Sequence, residues 1–93
     1  MRKILKSKSF PQSKATWYIY LLECQDGSFY TGITNNLDKR MKTHIQGKGS
    51  KYVRSKKFKK LLHTKQCKSR VEAQKVEHHI KTLHKWDKLD WFN

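Results

Sequence analysis

Two short segments joined by a turn signal constrain the fold of this chain most strongly. Residues 17–24 read WYIYLLEC, an almost continuous apolar and aromatic run. Such a run is typical of a strand that is covered on both faces and is therefore central in a sheet. Residues 25–27 (QDG) favour a turn, and residues 28–33 (SFYTGI) follow as the returning strand. The sequence therefore predicts a β-hairpin whose first strand needs a further partner.

The length of the hairpin loop decides where two tyrosines point. With the two-residue loop Asp26-Gly27, the side chains of Tyr20 and Tyr30 lie on opposite faces of the sheet. With a three-residue loop, Gly27 takes the left-handed conformation and Tyr20 lies opposite Gly32. The two tyrosines then share a face as a diagonal pair, about 7–8 Å apart at their backbones. The sequence is compatible with both loops, so both alternatives stay open at this point.

The remainder of the chain divides into a basic leader and one domain. Residues 1–16 are rich in Lys and Ser and contain no acid, which predicts a flexible basic arm. A chain of 93 residues favours a single domain, here residues 17–93. A third strand is predicted within residues 58–67. Ser69 opens a capping box for a helix that continues to about residue 84.

Two further predictions concern apolar packing. A helix over residues 37–46, capped by Asn35 or Asn36, carries an apolar stripe of Leu37, Met41 and Ile45. The C-terminal tail is predicted to form a short turn. It would dock these residues on the core: Trp86, Leu89 and either Trp91 or Phe92.

The charge of the chain indicates its partner. Lys and Arg number 22 against 7 Asp and Glu, which gives a net charge of +15 and a pI near 10.1. Nucleic acid is the favoured partner, because Lys and Arg neutralise phosphates and release counterions. A membrane is a remote alternative, since no apolar run approaches the roughly 20 residues that span a bilayer. Cys24 and Cys67 form no metal or redox motif, and two buried free thiols predict a cytoplasmic protein.

Several residues are candidates for chemistry. A tyrosine phenol can accept and donate a proton, provided that a cation assists it. Arg40 and His44 are four residues apart and share a helix face, where Arg40 suits a phosphate and His44 either a base or a second phosphate donor. Glu77 flanks a buried stripe and either holds a metal or pairs with Lys81. The basic stretch at 48–60 offers a nucleic-acid surface made of Lys48, Lys51, Tyr52, Arg54, Lys56 and Lys57.

In their order along the chain, these residues resemble the GIY-YIG nucleases. The two signature tripeptides stand as Tyr18-Ile19-Tyr20 and Tyr30-Thr31-Gly32, followed by Arg40 and His44 on a helix and Glu77 on the last long helix. The resemblance covers roughly residues 17–84 and is greatest to small stand-alone members. Tyr18 replaces the glycine of the first tripeptide, and Ile33 replaces a lysine that often follows the second.

The resemblance implies an α+β fold in which a three-stranded antiparallel sheet is flanked by helices. It also implies hydrolysis of phosphodiester bonds with one Mg²⁺ or Mn²⁺, as in the GIY-YIG module of excinuclease and in related homing and restriction enzymes. By the same similarity, Glu77 would hold the metal, Arg40 would clamp the scissile phosphate and Tyr20 or Tyr30 would relay the proton. Two hypotheses follow: a DNA endonuclease of broad or structure-guided specificity, and a nucleic-acid-binding module with weak or no catalysis.

Overall fold

The run WYIYLLEC forms the central strand of a three-stranded antiparallel sheet. The computed structural model of the protein describes residues 16–93. The predicted basic arm, residues 1–16, therefore lies outside the described residues except for residue 16. The strands are β1 (Trp17–Cys24), β2 (Phe29–Thr34) and β3 (Phe58–Cys67), in the order β2-β1-β3. Four helices accompany them: α1 (Leu37–Ile45), α2 (Lys51–Lys56), α3 (Arg70–Lys81) and α4 (Lys85–Phe92). The predicted α+β fold is confirmed.

The hairpin has the longer of the two loops. Cys24 N–H donates to the carbonyl of Ser28 (2.8 Å), and Gly27 N–H donates to the carbonyl of Cys24 (2.9 Å). Gly27 has a φ of 85°, in the left-handed region that glycine adopts most readily. Tyr20 therefore pairs with Gly32. The alternation of side chains along each strand then places Tyr20 and Tyr30 on the same face of the sheet.

The central strand separates two apolar clusters. On one face, Tyr18, Tyr20, Leu22 and Cys24 pack with residues of α1 and α2, among them Leu37 and Val53. The other face is covered by α3 and α4. Its cluster contains Ile19, Cys67, Ala73 and Ile80, with Trp91 and Phe92 packed against it. Both cysteines are buried free thiols, as predicted.

Helix α1 differs from the prediction in its buried stripe. Asn36 caps it, because its side chain accepts a hydrogen bond from Lys39 N–H (3.1 Å). The predicted burial of Ile45 is wrong: Ile45 is 64% exposed, whereas His44 is 2% exposed. At about 100° per residue, His44 lies about 20° around the helix from Leu37, but Ile45 lies about 80° away. The polar residue therefore occupies the core position.

The C-terminal segment also differs. Instead of a short turn it forms the helix α4, and α3 ends at Lys81, three residues before the predicted end. Trp91 and Phe92 pack on the core, but Trp86 is 66% exposed, so its predicted docking is wrong. The basic stretch contains the helix α2, which Ser50 caps through a hydrogen bond from Val53 N–H (3.3 Å). None of the helices within residues 16–93 is long and apolar enough to span a membrane.

The left-handed conformation of Gly27 makes the loop testable. Gly27→Ala should lower the free energy of unfolding by about 1 kcal/mol, because a Cβ is disfavoured at this φ. Gly27→Asn should lower the free energy of unfolding clearly less, since asparagine tolerates the left-handed region. Urea denaturation of the two variants beside the parent chain measures the difference. Equal stability of Gly27→Ala and the parent chain would contradict the three-residue loop.

Candidate active site

The two signature tyrosines meet on the face that α1 covers. The ring centroids of Tyr20 and Tyr30 are 6.3 Å apart, and the rings are tilted by 46°. Tyr20 is completely buried, whereas Tyr30 is partly exposed at the edge strand β2. The Tyr20 ring extends over Gly32, where a Cβ would overlap with atoms of the ring. The glycine opposite Tyr20 therefore leaves the space that its ring occupies.

Helix α1 brings two polar side chains to the Tyr20 hydroxyl. The hydroxyl oxygen lies 2.9 Å from Nε2 of His44, and Arg40 Nε donates to the same oxygen (3.4 Å). Because Arg40 is a donor only, the hydroxyl proton is free to point to His44 Nε2. In this arrangement the imidazole proton is on Nδ1, a buried atom that has no hydrogen-bond partner within residues 16–93. Gly49 packs against the imidazole so closely that a Cβ at Gly49 would overlap with it.

Burial holds both partners of this hydrogen bond in their neutral forms. It lowers the pKa of His44 to about 4, with a further contribution from the charge of Arg40. It also raises the pKa of Tyr20 to about 12, although the hydrogen bond from Arg40 opposes that rise. Transfer of the phenol proton to His44 is therefore unfavourable. The contact holds Tyr20 in place.

The Arg40 guanidinium stays charged in this setting. Burial would lower its pKa, but the hydrogen bond with Tyr20 and the interactions with Tyr30 raise it above the ordinary value. Arg40 also lines a groove of about 200 Å³, together with Thr34, Asn35, Asn36, Lys39 and Thr43. A cation that is held by two phenols and borders an open groove is suited to binding a phosphate.

Glu77 approaches the tyrosines from α3, a helix that contacts the edge strand β2. Its carboxylate forms an ion pair with Lys81 (3.3 Å), so the pairing that the helical spacing allowed is present. Lys81 Nζ lies 5.7 Å from the centroid of the Tyr30 ring. The charge of Glu77 contributes to the raised pKa of Tyr20, after the effects of burial, Arg40 and Tyr30. The helical spacing predicted the Glu77–Lys81 pair, but the contact between Lys81 and the Tyr30 ring was not predicted from the sequence.

A metal at this position would have few protein ligands. Within residues 16–93, no group of three or more His, Cys, Asp and Glu side chains is placed to hold a metal ion. Glu77 is a lone carboxylate whose side chain is 22% exposed. This donor set fits Mg²⁺ or Mn²⁺ bound largely by water and substrate, because Mg²⁺ commonly uses one or two carboxylates and retains several waters.

One of the predicted nucleic-acid residues, Tyr52, contacts the tyrosine pair. Tyr52 of α2 stacks on Tyr30, with ring centroids 5.7 Å apart and an angle of 26° between the rings. Tyr52 is 39% exposed. The charged members of the group are all exposed: Lys48, Lys51, Arg54, Lys56 and Lys57. Lys56 forms an ion pair with Asp26 of the hairpin loop (3.5 Å). Arg54 and Lys57 also border a cleft of about 330 Å³ that reaches His44.

The sequence and the fold are similar to those of known proteins. The family described as the GIY-YIG catalytic domain matches residues 16–90. A UPF0213 protein of Bacillus licheniformis is 44% identical over 71 residues, which cover 76% of this chain and 73% of that protein. A UPF0213 protein of Clostridium perfringens is 46% identical over 72 residues, 77% of each chain.

Two solution NMR structures share the fold. The structure of a protein from E. faecalis has a TM-score of 0.61 and 37% identity, and the match covers 87% of this chain and 86% of that one. The structure of a UPF0213 protein from Bacillus halodurans has a TM-score of 0.51 and 42% identity, and the match covers 82% of this chain and 81% of that one. The family match spans most of the chain and contains both tyrosines, Arg40, His44 and Glu77. The chain belongs to the GIY-YIG catalytic-domain family, the family of the GIY-YIG nucleases.

Proposed function

We propose that this protein is an endonuclease that hydrolyses phosphodiester bonds in DNA. One observation carries the proposal: the Arg40 guanidinium contacts the phenol of Tyr20, interacts with Tyr30 and borders an open groove. A fixed guanidinium beside an accessible phenol supplies a phosphate clamp and a proton acceptor in one place. The negative charge that develops on a phosphate during hydrolysis is stabilised most by donors that are already in position.

The two tyrosines take different roles in this proposal. Tyr20 is fully buried and its pKa is raised to about 12, so it stays a neutral phenol that an attacking water cannot reach. Tyr20 and His44 are therefore positioning residues, which hold Arg40 in the orientation that a phosphate needs. Tyr30 is partly exposed at the edge of the sheet and is the phenol that an attacking water can reach. We assign proton transfer to Tyr30 for this reason.

Glu77 is the residue that would hold a divalent ion, Mg²⁺ or Mn²⁺. When bound, such an ion supplies positive charge for the leaving oxygen of the phosphodiester. The protein contributes the carboxylate, which lies beside Lys81 and within electrostatic range of Tyr20. The Lys81 ammonium lies 3.3 Å from this carboxylate, so a metal ion would compete with Lys81 for Glu77.

The surface around the site favours recognition of shape over recognition of sequence. The exposed Lys and Arg side chains of the basic stretch suit phosphates, and Tyr52 offers an aromatic face. Contacts of both kinds position a nucleic acid but carry little information about its bases. Broad or structure-guided specificity follows from this surface. The two buried free thiols fit a reducing compartment, so we place the activity in the cytoplasm.

A nucleic-acid-binding module without catalysis is the second candidate. The ion pair between Glu77 and Lys81 favours it, because a carboxylate that stays neutralised by a lysine does not bind a metal. The two candidates share the basic surface and the stacked tyrosines. They differ in whether Glu77 is required for a chemical step.

Replacement of Glu77 separates the candidates. With branched, single-stranded and duplex DNA, the parent chain should cleave in Mg²⁺ or Mn²⁺, and Glu77→Gln should lower cleavage at least about 100-fold. Its DNA affinity should be retained, since the carboxylate does not contact phosphates. Glu72→Gln is the matched control on the same helix, because glutamine preserves the capping box there. Cleavage that survives Glu77→Gln would exclude the metal role, and binding without cleavage in either metal would favour the binding module.

The ion pair gives a second test that does not depend on cleavage. If Lys81 competes with a metal for Glu77, Lys81→Met should tighten Mn²⁺ binding by up to about five-fold, because an exposed ion pair contributes up to about 1 kcal/mol. Electron paramagnetic resonance of free Mn²⁺ measures the affinity directly. Lys75→Met, on an exposed position of the same helix, is the control and should change nothing. Equal or weaker Mn²⁺ binding by Lys81→Met would contradict the assignment of the metal to Glu77.

A further inference from the structure

An exposed tryptophan, an exposed lysine and a half-buried phenylalanine form a cluster at the edge strand β2. Trp86 of α4 packs edge-on against Phe29 of β2, with ring centroids 5.8 Å apart. Lys85 Nζ lies 4.6 Å from the centroid of Phe29 and 4.7 Å from that of Trp86. None of these residues belongs to the basic stretch or to the tyrosine site. The name aromatic clamp is used below for Phe29, Lys85 and Trp86.

The exposure of Trp86 has no explanation in the packing of the domain. Trp86 is 66% exposed, while Trp91 and Phe92 of the same helix pack against the core. Single exposed apolar residues are common on protein surfaces and need no function. Trp86 differs from that case because a second ring and a lysine converge on it. Together they offer an aromatic face beside a positive charge.

The position of the clamp relates it to the site. Phe29 precedes Tyr30 on the edge strand, so their side chains point to opposite faces of the sheet, and each of the two rings has a lysine near it: Lys85 at Phe29 and Lys81 at Tyr30. Tyr30 continues the series through its stack with Tyr52. Aromatic rings with a nearby lysine therefore lie on both faces of the sheet at the edge strand β2.

We propose that the aromatic clamp is a stacking site for an unpaired base of the nucleic acid that lies across Tyr30. The proposal rests on the proposed function in that it requires a nucleic-acid ligand. An exposed indole is a suitable platform for a base, and such stacking contributes about 1–3 kcal/mol per base without sequence preference. Lys85 supplies charge for the neighbouring phosphate. The acids of α4, Asp87 and Asp90, reduce the local positive charge, so affinity at the clamp should depend more on stacking than on salt.

The clamp gives the protein a way to favour branched or frayed DNA. A base inside a duplex is stacked on its neighbours and is not available to Trp86, whereas an unpaired base is. The expected preference is for a single strand, or a junction with one, over a continuous duplex. The clamp would then define where the unpaired part lies relative to the phosphate at Arg40.

Binding measurements with a short labelled oligothymidine and with a duplex of equal length test the proposal. Trp86→Ala should weaken binding of the single strand about ten-fold and leave duplex binding nearly unchanged. The salt dependence of single-strand binding should be the same for Trp86→Ala as for the parent chain. Lys85→Met should reduce the slope of log affinity against log salt concentration by about one. Trp86→Phe should restore most of the affinity. Val71→Ala is the control, because Val71 is 59% exposed on α3 and lies outside the clamp.

The outcomes distinguish the clamp from the proposed function. If the parent chain binds no nucleic acid, both fail. If the parent chain binds nucleic acid but Trp86→Ala has the same affinities as Val71→Ala, the clamp alone is overturned. The same holds if Trp86→Ala loses affinity for the duplex and for the single strand equally. A dimer in light scattering that disappears in Trp86→Ala, with unchanged DNA affinity, would assign Trp86 to contacts between copies of the chain and would also overturn the clamp.

Discussion

The hydroxyl group of Tyr20 is the point on which the arrangement of the site depends. It lies inside the core, 2.9 Å from His44 Nε2, and accepts a hydrogen bond from Arg40 (3.4 Å). A buried phenol without partners would be costly, and these contacts satisfy it. The same contacts fix the guanidinium at the base of a groove. The core of the sheet and the orientation of the Arg40 guanidinium are thus parts of one hydrogen-bonded unit.

Two glycines make this unit possible. The left-handed conformation of Gly27 sets the three-residue loop, and that loop sets the register in which Tyr20 faces Gly32. The absence of a side chain at Gly32 admits the Tyr20 ring. A shift of one residue in the register would turn every side chain of β2 to the other face and separate the tyrosines. Local backbone geometry at the turn therefore controls a side-chain contact several residues away along each strand.

Positive charge is arranged at two depths in the molecule. Arg40 is half-buried and keeps its charge through contacts with the phenols, whereas Lys81 and Lys85 lie at the rim over aromatic rings. Buried charge is costly without partners, and phenols compensate it without cancelling it as a carboxylate would. Arg40 therefore keeps its positive charge beside the groove. The net charge of +15 adds a long-range attraction for a polyanion.

The sequence predicted much of the fold because its main signals are local. The apolar run of β1, the cap at Asn36 and the capping box at Ser69 all appear where expected. The loop length was left open, because a choice between two and three residues depends on the backbone of Gly27 and not on composition. The helix α2 was hidden in a charged stretch, where only the cap at Ser50 and the buried Val53 mark it.

The site residues were harder to place than the elements that carry them. Tyr20, Tyr30, Arg40 and His44 converge as the resemblance requires, but their degrees of burial follow from tertiary packing. His44 takes a core position that apolar patterning assigned to Ile45, since patterning ranks residues by hydrophobicity and not by their partners. Trp86 was assigned to the core for the same reason. The contacts of Trp86 with Phe29, which is distant in the sequence, and with Lys85 do not follow from apolar patterning.

Titration of the histidine rings by nitrogen-15 NMR tests the central hydrogen bond most directly. His44 should remain neutral until the pH falls to about 4, because burial and Arg40 disfavour its charged form, and its proton should reside on Nδ1. Titration of His44 near the ordinary value of 6.5, or a proton on Nε2, would contradict the neutral acceptor that holds Tyr20 and Arg40 in place.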